Sequence, residues 1–516
     1  MAKGAGAAIK HIGLTMIDTA ALKRDWLAQP RADILAGIVV ALALIPEAIG
    51  FSIIAGVDPR VGLYASIAIA MIIAFTGGRP GMISAATAAV AVVVIPLVRD
   101  YGVDYLFAAT ILMGIFQGIA ALLRLDLLMQ FVGRAVIIGF VNALAILIFM
   151  AQLPQLDPTA DGVNWITYAM VAGALAIIYL LPKLTTSVPS PLVAIIVLGG
   201  LSIWLDLPIN TVGDMGDIPE GLPSLLLPDV PLSWETFLII APYSATMAAV
   251  GLIESLLTAK IVDDMTHTGS NKRRETWGQG VANIGAAMVG GMGGCAMIGQ
   301  SVINVTSGGR GRLSTFVAGL TLLVLLWLLG PVVGQIPMPA LVAVMIMVSI
   351  GTFSWTSIPN LRRHPWQASV VMLATVITVV TTHNLALGVL VGVLLSGIFF
   401  AALVMNLFSV ERTRDGEKAL YTVTGQIFFA SVERFNDAMY PESQRDDPAD
   451  HVVIDVSKAH FWDISSAGAL DAIVERMRRN GRSVQVIGLN EASADMIDKH
   501  AVVDRTGVEI GLAPHP

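Results

Sequence analysis

Two short stretches decide how this chain can fold: TGGRPGMISAATAA at residues 76–89 and GGMGGCAMIGQS at residues 290–301. Both are rich in glycine, and both are small and polar where the first turns of a membrane helix are normally apolar. They belong to the third and the tenth apolar segments of the chain. Short, glycine-interrupted segments at matching places in two halves indicate an inverted repeat with a binding site at mid-membrane.

The sequence around these stretches is typical of a polytopic membrane protein. Of its 516 residues, 55% are hydrophobic and 13% charged, and the mean hydropathy of +0.75 lies outside the range of soluble domains. Apolar stretches of about 17–25 residues recur along the chain, and this is the length that a helix needs to cross a bilayer. In lipid, only helices and closed barrels satisfy all of their own backbone hydrogen bonds. The fourteen predicted spans are 34–55, 60–78, 81–98, 105–123, 131–150, 166–181, 189–205, 237–259, 277–292, 295–307, 313–334, 339–358, 368–384 and 386–408.

Loop charges predict the orientation of these spans. A cytosolic N-terminus leaves only Arg60 and Arg99 among the loop cations on the outer side, and the asymmetry of Lys and Arg sets topology. The first 33 residues are predicted to be a cytosolic segment and not a signal peptide. Both termini are therefore expected in the cytosol. The cations predicted on the cytosolic side are Arg79, Arg124, Arg134, Lys183, Lys260, Lys272, Arg273, Arg274, Arg310, Arg312, Arg362 and Arg363.

The composition changes abruptly after Val410, where the chain becomes charged and alternating. Short alternating runs that interleave with helical patterns predict a βαβ-type α/β domain. Strands are predicted at 419–427, 451–456 and 483–488, and helices at 467–479 and 492–500. The predicted domains are a cytosolic segment 1–33, a transmembrane transport domain 34–410, a linker 411–418 and a soluble domain 419–516.

Several classes of function are not indicated by this sequence. The single cysteine, Cys295, excludes an internal disulfide and argues against a thiolate metal site. No catalytic triad, metal-ligand cluster or Walker-type loop is present, so we expect neither an enzyme nor a cofactor. The net charge of -7 gives no reason to expect nucleic acid as a partner.

Backbone amides are the expected anion ligands, because no Lys or Arg lies near the middle of a span. A helix that begins at mid-membrane directs unpaired amides and about half a positive charge at the break. Small residues there could instead serve only close helix packing. The predicted substrate-binding residues are Ala86, Thr87 and Ala88 from the first half, and Ile298, Gly299, Gln300 and Ser301 from the second.

Two carboxylates inside spans, Glu47 and Glu254, are candidates for ion coupling. A charged group in the hydrocarbon region costs at least about 2.5 kcal/mol and usually faces a cavity or pathway. Two ionised carboxylates beside a dipolar cradle would repel an anion, so a cation must enter with it. We expect H⁺, with Na⁺ at Glu254 and Thr258 as the alternative. The competing interpretation is a hydrogen-bonded structural carboxyl group at either position.

A family resemblance follows from four motifs: PRVGLYAS at 59–66, GFVNA at 139–143, ESLL at 254–257 and NVTSGG at 304–309. With these motifs the chain resembles bacterial members of the sulfate permease (SulP) family, relatives of pendrin and prestin. Its tail resembles a STAS domain, with Asp463 and Ser465 at the Asp-x-Ser/Thr segment.

This resemblance implies fourteen segments in two inverted repeats of seven, arranged as core and gate domains, with an anion between broken helices three and ten. It implies a homodimer in the bacterial inner membrane, with STAS domains that cytosolic regulators could bind. Asp463 or Ser465 could alternatively be only a helix N-cap.

Three residue differences bear on the substrate. Gln300 stands where many animal relatives have arginine, residues 85–87 replace a Glu-Pro-Thr type of segment, and Glu47 replaces a commoner glutamine. We expect proton-coupled symport of a small anion, with a dicarboxylate such as fumarate favoured over sulfate and bicarbonate. The alternatives are an anion channel, a membrane sensor working through the STAS domain, a Na⁺-coupled bicarbonate symporter, and a neutral-substrate carrier.

Overall fold

The computed structural model describes residues 23, 25–127, 132–159, 163–185, 189–216, 223–363, 365–415, 418–439 and 450–489. The chain divides into two compact units, Met1–Val393 and Leu394–Pro516. Each unit is described by itself below.

The described part of the membrane region contains fourteen consecutive segments, in agreement with the predicted number. Eight of their helices are long and apolar enough to span a bilayer, and three more are apolar but shorter. The first seven segments are α1 Pro30–Ala55, α2 Pro59–Thr76, β1 Ser84–Ala86 with α3 Ala88–Tyr101, α4 Val103–Leu122, α5 Arg134–Met150, α6 Trp165–Leu180 and α7 Ser190–Trp204. The second seven are α8 Trp234–Thr266, α9 Lys272–Ala287, β2 Gly294–Ala296 with α10 Ile298–Thr306, α11 Arg312–Val333, α12 Met338–Thr352, α13 Trp366–Thr382 and α14 Leu385–Val404.

The third and tenth segments are broken, as the glycine-rich stretches predicted. In each, a three-residue strand leads within two residues into a short helix, and the two strands pair antiparallel with Ala85 opposite Cys295. Gly294 permits this pairing, because a Cβ atom there would lie 2.0 Å from the carbonyl oxygen of Ala85. The half-crossing helices α3 and α10 therefore begin side by side inside the protein.

The helix packing shows the inverted repeat. Helix α1 packs on α11 as α8 packs on α4, and α2 packs on α9. These contacts are equivalent when α1–α7 is superposed on α8–α14, because α1 then matches α8 and α4 matches α11. Helices α1–α4 and α8–α11 make one body, and α5 with α12 and α13 belongs to a second, which α6 and α7 extend. The two bodies correspond to the expected core and gate.

Helices α8 and α9 differ from the predicted spans 237–259 and 277–292. Ser233 caps α8 by accepting from the amide of Thr236, and the helix runs on to Thr266. Asn271 caps α9 by accepting from the amide of Arg274, so that helix begins well before the apolar stretch. Helix α9 tolerates polar residues because it is enclosed by α2 and α4. Hydropathy alone therefore misplaces a helix whose surroundings are protein and not lipid.

Two connections at one side of the membrane unit are joined by backbone hydrogen bonds. The amide of Val212 donates to the carbonyl of Ile336 at 2.9 Å, and the amide of Met338 donates to that of Asn210 at 2.9 Å. These residues belong to the α7–α8 and α11–α12 connections, each of which links the two bodies. The two connections between the bodies on this side are thus hydrogen-bonded to each other.

The second unit contains a four-stranded mixed sheet in the order β3-β4-β5-β6, of which the first pair is antiparallel and the others parallel. Tyr421, Phe435 and Phe461 are the largest side chains of its core. Its elements are β3 Phe408–Asp415, β4 Lys418–Ile427, α15 Val432–Met439, β5 His451–Phe461, α16 Ile464–Arg479 and β6 Ser483–Ile487.

The predicted linker 411–418 is wrong in this structure, because most of it lies in strand β3, which pairs with β4 from Phe408 to Asp415. The charged residues of this stretch lie on an edge strand, where charge is common, and not on an irregular connection. The predicted helix 492–500 lies outside the described residues.

Candidate functional site

A cavity of about 850 Å³ lies between the two bodies of the membrane unit and reaches the broken helices. Its wall includes the starts of α3 and α10 and faces of α1, α5, α8 and α12. The volume is in the usual range for a small-molecule site. The two breaks therefore meet at a space that can hold a ligand.

The N-termini of α3 and α10 are uncapped at this cavity. No side chain caps α3 at Thr87 or α10 at Met297. The first amides of a helix have no partner within the helix, and each helix start carries about half a positive charge. Two such starts facing one cavity make a favourable environment for an anion.

Five of the seven predicted substrate-binding residues line the cavity. Thr87 and Ala88 come from the first break, and the second break supplies Ile298, Gly299 and Gln300. These residues are the N-cap and first turn of the two short helices. The breaks therefore present the same part of each helix to the ligand space.

The other two, Ala86 and Ser301, support the breaks from behind. The amide of Ala86 donates to the Ser66 hydroxyl oxygen at 3.3 Å. The Ser301 hydroxyl oxygen accepts from the amide of Ile83 at 3.0 Å. Neither residue lines the cavity. The backbone amide of Ala86 is directed towards α2, and the Ser301 hydroxyl is directed towards the segment before β1.

Glu47 on α1 lines the cavity and is hydrogen-bonded across it. The side-chain amide of Gln300 donates to Oε2 of Glu47, and the Glu47 residue is only 9% exposed. The sequence placed these residues in separate roles, substrate binding and coupling, because they are 253 positions apart. The structure brings them together at the start of α10.

Glu254 on α8 also lines the cavity, and its partner is Cys295 on β2. The thiol donates to Oε2 of Glu254 at 3.0 Å, and the Thr87 hydroxyl lies 3.2 Å from the same sulfur. Cys295 was not among the predicted site residues, since a lone cysteine in an apolar run usually behaves as a small hydrophobic residue. Its position beside the second break was the available signal.

Thr258 lies one turn from Glu254 but does not face the cavity. Its hydroxyl donates to the carbonyl of Glu254 at 2.8 Å and approaches the carbonyl of Ala296 at 3.4 Å. The side chain is fully buried. Thr258 therefore joins α8 to strand β2, and its predicted contact with a coupling ion would require these hydrogen bonds to change.

The titratable side chains of the cavity wall are mainly acidic. Among the described lining residues the titratable ones are Glu47, Tyr179 and Glu254, and none is Lys or Arg. Much of the remaining wall is apolar, including Phe51, Phe140 and Leu144. Positive potential in this part of the structure comes from the helix starts.

One end of the cavity reaches the ends of several helices. Pro182 after α6, Pro189 before α7, Ser307 after α10 and Thr352 at the end of α12 line it. The joined α7–α8 and α11–α12 connections lie at the other ends of α7 and α12.

Buried charged residues hold the loops that flank the breaks. Glu275 accepts from the amides of Gly78 and Arg79 at 2.7 and 3.2 Å. Asp33 accepts from the amides of Arg310 and Gly311 at 2.8 and 3.0 Å. These carboxylates fix the segment before β1 and the segment after α10, so they position the site without reaching it.

In the second unit, Asp463 is the N-cap of α16. Its carboxylate accepts from the amide of Ser466 at 2.8 Å and from that of Phe429 at 2.7 Å. Ser465 lies in the first helical turn and is exposed. Asp463 has the structural role that the sequence offered as an alternative, and Ser465 is accessible; a regulatory role for the two stays a prediction.

Comparison with known proteins identifies both parts of the chain. The description "Sulfate permease family" matches residues 31–157 and 156–377, and "STAS domain" matches residues 409–510. The "Putative sulfate transporter YbaR" of Bacillus subtilis is 56% identical over 93% of this chain and 99% of its own length. The "Bicarbonate transporter BicA" of Picosynechococcus is 24% identical over 89% of this chain and 88% of its own.

Solved structures agree in fold. The transmembrane domain of a cyanobacterium bicarbonate transporter BicA matches with a TM-score of 0.63 and 25% identity, over 70% of this chain and 97% of that one. The murine Slc26a9 anion transporter in the inward-facing state matches with a TM-score of 0.81 and 15% identity, over 95% and 90%. Two uncapped helix starts at one cavity, with family matches along both units, lead to one conclusion: the chain belongs to the sulfate permease family of anion transporters and carries a C-terminal STAS domain.

Proposed function

We propose that this chain is a secondary active transporter that carries a small anion together with H⁺, binding the anion between the starts of α3 and α10. The observation that carries the proposal is Glu47 at the cavity wall, hydrogen-bonded by Gln300 of the broken segment. The anion site and the proton site then share the hydrogen-bonded pair Glu47 and Gln300. Binding of the anion therefore directly affects binding of the proton, and the reverse.

A charge count supports proton coupling. Two helix starts contribute about one positive charge in total, while Glu47 and Glu254 contribute two negative charges when both are ionised. An arriving anion would therefore meet a net negative cavity in a region of low dielectric constant, where repulsion is strong. Protonation of the carboxyl groups removes this obstacle, so proton and anion enter together.

The wall of the cavity favours an organic anion, with a dicarboxylate such as fumarate ahead of sulfate and bicarbonate. Backbone amides at the two helix starts can hold carboxylate oxygens, and the apolar side chains of Phe51 and Phe140 can cover a carbon skeleton. A strongly hydrated inorganic anion gains nothing from these aromatic faces.

The test is uptake into proteoliposomes with the membrane potential clamped at zero. A one-unit inward pH gradient corresponds to about 1.4 kcal/mol per proton, so the wild type should accumulate fumarate about tenfold for each proton carried with it. Glu47→Gln should bind the anion yet fail to accumulate it. Asp100→Asn, at an exposed carboxylate of α3, is the matched control and should behave as wild type. Accumulation by Glu47→Gln equal to the control would rule out the proposed role.

Sulfate is the second candidate substrate, supported by the printed name of the 56%-identical relative from Bacillus subtilis. Competition between labelled fumarate and unlabelled sulfate, succinate, bicarbonate and chloride in the same vesicles distinguishes the candidates. Replacing the pH gradient with a Na⁺ gradient tests Na⁺-coupled bicarbonate symport. Conductance without accumulation would instead indicate a channel, and binding without flux a sensor.

The setting that we propose is the bacterial inner membrane, with both termini cytosolic and the chain assembled as a homodimer. The Lys and Arg distribution supports the orientation. Exposed Ser465, beside the capped start of α16, is the proposed contact for cytosolic regulators. A C-terminal fluorescent reporter that folds only in the cytosol tests the orientation, and mass measurement in detergent tests the dimer.

A further inference from the structure

We propose that Cys295 is a positioning residue that relays the protonation state of Glu254 to the Thr87 hydroxyl at the anion site. The inference rests on the proposed proton-coupled function and names a part of it. Cys295 is fully buried and does not touch the cavity, yet its sulfur lies 3.0 Å from Glu254 and 3.2 Å from Thr87. Both of these partners line the cavity. One side chain therefore connects a carboxyl group of α8 with the N-cap of α3.

A proton count fixes the directions when Glu254 is ionised. An ionised carboxylate can only accept, so the single S–H of Cys295 donates to Glu254. The sulfur then has no proton left for Thr87, so in the hydrogen bond between these two groups the Thr87 O–H is the donor. In this state the Thr87 oxygen can offer only lone pairs to the cavity, which disfavours an anion.

Uptake of one proton by Glu254 allows the chain of hydrogen bonds to reverse. The new carboxyl O–H donates to sulfur, the S–H turns to donate to the Thr87 oxygen, and the Thr87 O–H is free to donate to an anion. No covalent bond to carbon or sulfur changes, and the incoming proton stays on the carboxyl group. Thr87 thus becomes an anion ligand at the moment when Glu254 becomes neutral.

Within the described residues, the hydrogen bond from Cys295 is the polar contact of the Glu254 carboxyl group. Among the described residues that line the cavity, the other titratable groups are Tyr179 and Glu47, and Glu47 is bonded to Gln300. Strand β2 contributes Cys295, and α10 contributes no titratable group. The titratable residues on α3, α4 and α9, which also pack against α8, lie at helix ends away from the cavity: Arg99, Asp100, Tyr101, Asp104, Tyr105, Lys272, Arg273, Arg274 and Glu275.

The relay exists in one half of the repeat only. Ala85 stands opposite Cys295 in the β1–β2 pair, and it has no group that can donate or accept through its side chain. Glu47 is instead bonded to Gln300 directly. The two carboxyl groups therefore communicate with the anion site by different routes, and removal of the thiol should affect Glu254 alone.

The experiment measures the apparent KM for fumarate between pH 5.5 and 8.5 in vesicles that carry full-length variants. In wild type, loss of the Thr87 hydrogen bond to a charged ligand should raise KM about tenfold to a hundredfold as pH rises. Cys295→Ser, which keeps a donor and an acceptor, should retain most of this dependence. Cys295→Val, which fills the space without either, should flatten this dependence and leave the part that is set by protonation of Glu47.

Thr87→Val supplies the second arm. If the relay operates, Thr87→Val and the double variant with Cys295→Val should have the same pH profile, because the second change removes nothing further. A Cys295→Val protein that keeps the wild-type profile, or additive losses in the double variant, would overturn the relay. Absence of any proton-driven uptake in wild type would instead overturn the proposed function, so the two failures are distinguishable. Thermal unfolding in detergent confirms that each variant is folded.

Discussion

The third and tenth segments have one backbone plan and two different chemistries. Each has a three-residue strand, an uncapped turn and a short helix, with a constant offset of 210 between matching residues, as Ala85 and Cys295 or Ala88 and Ile298 illustrate. The side chains break this symmetry. Gln300 and Cys295 of the tenth segment bind both carboxyl groups, whereas the matching residues of the third are Val90 and Ala85. The repeat therefore builds both helix starts, and one half of it supplies the side-chain partners of the two carboxyl groups that we propose for coupling.

The largest effect is expected from Gly294→Ala, which attacks the shared backbone plan. A Cβ at Gly294 would lie 2.0 Å from the carbonyl oxygen of Ala85, so the strands must separate. Overpacking of this kind costs about 1–3 kcal/mol or more, and transport should be lost with a lowered midpoint of thermal unfolding. Gly269→Ala, where no atom lies within 4 Å of the added methyl group, is the matched control. Normal uptake by Gly294→Ala would show that the pairing is dispensable.

A smaller effect, confined to one half, is expected from Gln300→Leu. It leaves Glu47 without its hydrogen-bond partner, which costs about 1–3 kcal/mol for a buried polar group, and proton-driven uptake should fall tenfold or more. Val90→Leu places the same side chain at the matching position of α3, where the native residue is already apolar, and should have little influence on coupling. Equal losses in both variants would mean that the two segments share the coupling role. Initial uptake rates at two pH values measure the difference.

The smallest effect is expected from Gly299→Ala. No atom lies within 4 Å of the added methyl group, and the matching residue of α3 is already Ala89. Replacing glycine in a helix stabilises by about 0.4–1 kcal/mol where the conformation is compatible, so the unfolding midpoint should rise slightly. The methyl group lies at the cavity wall, and a modest rise in KM, below about threefold, should accompany it. A destabilised protein would contradict the open space seen around Gly299.

Composition and local pattern predicted the architecture, because it depends on features that are near each other in sequence. The glycine-rich stretches before Ala88 and Ile298 are sufficient to predict the two breaks, and the lengths of the apolar stretches predict most of the spans. Helix α9 was misplaced because its polar face, with Gln279 and Asn283 fully buried, is satisfied by protein. The strand at 408–415 was mistaken in part for a linker because its partner strand supplies the hydrogen bonds.

The candidate site was predicted only one half at a time. Glu47 and Gln300 were each recognised, but a hydrogen bond between residues 253 positions apart leaves no local pattern. Cys295 was dismissed because its chemistry depends on what lies beside it, and neither Glu254 nor Thr87 is adjacent in sequence. Ala86 and Ser301 were assigned to the cavity because periodicity gives the segment but not the direction of each side chain.

Strands β1 and β2 pair with each other through main-chain atoms, and the pairing requires glycine at position 294. Residues that face the ligand can consequently be exchanged without dismantling the platform that presents them. A transporter built in this way can be retuned from one anion to another through a few substitutions on α1, α8 and α10. Specificity then depends on side chains that can be replaced while the backbone beneath them stays the same. This makes the protein a practical starting point for engineering uptake of a chosen anion.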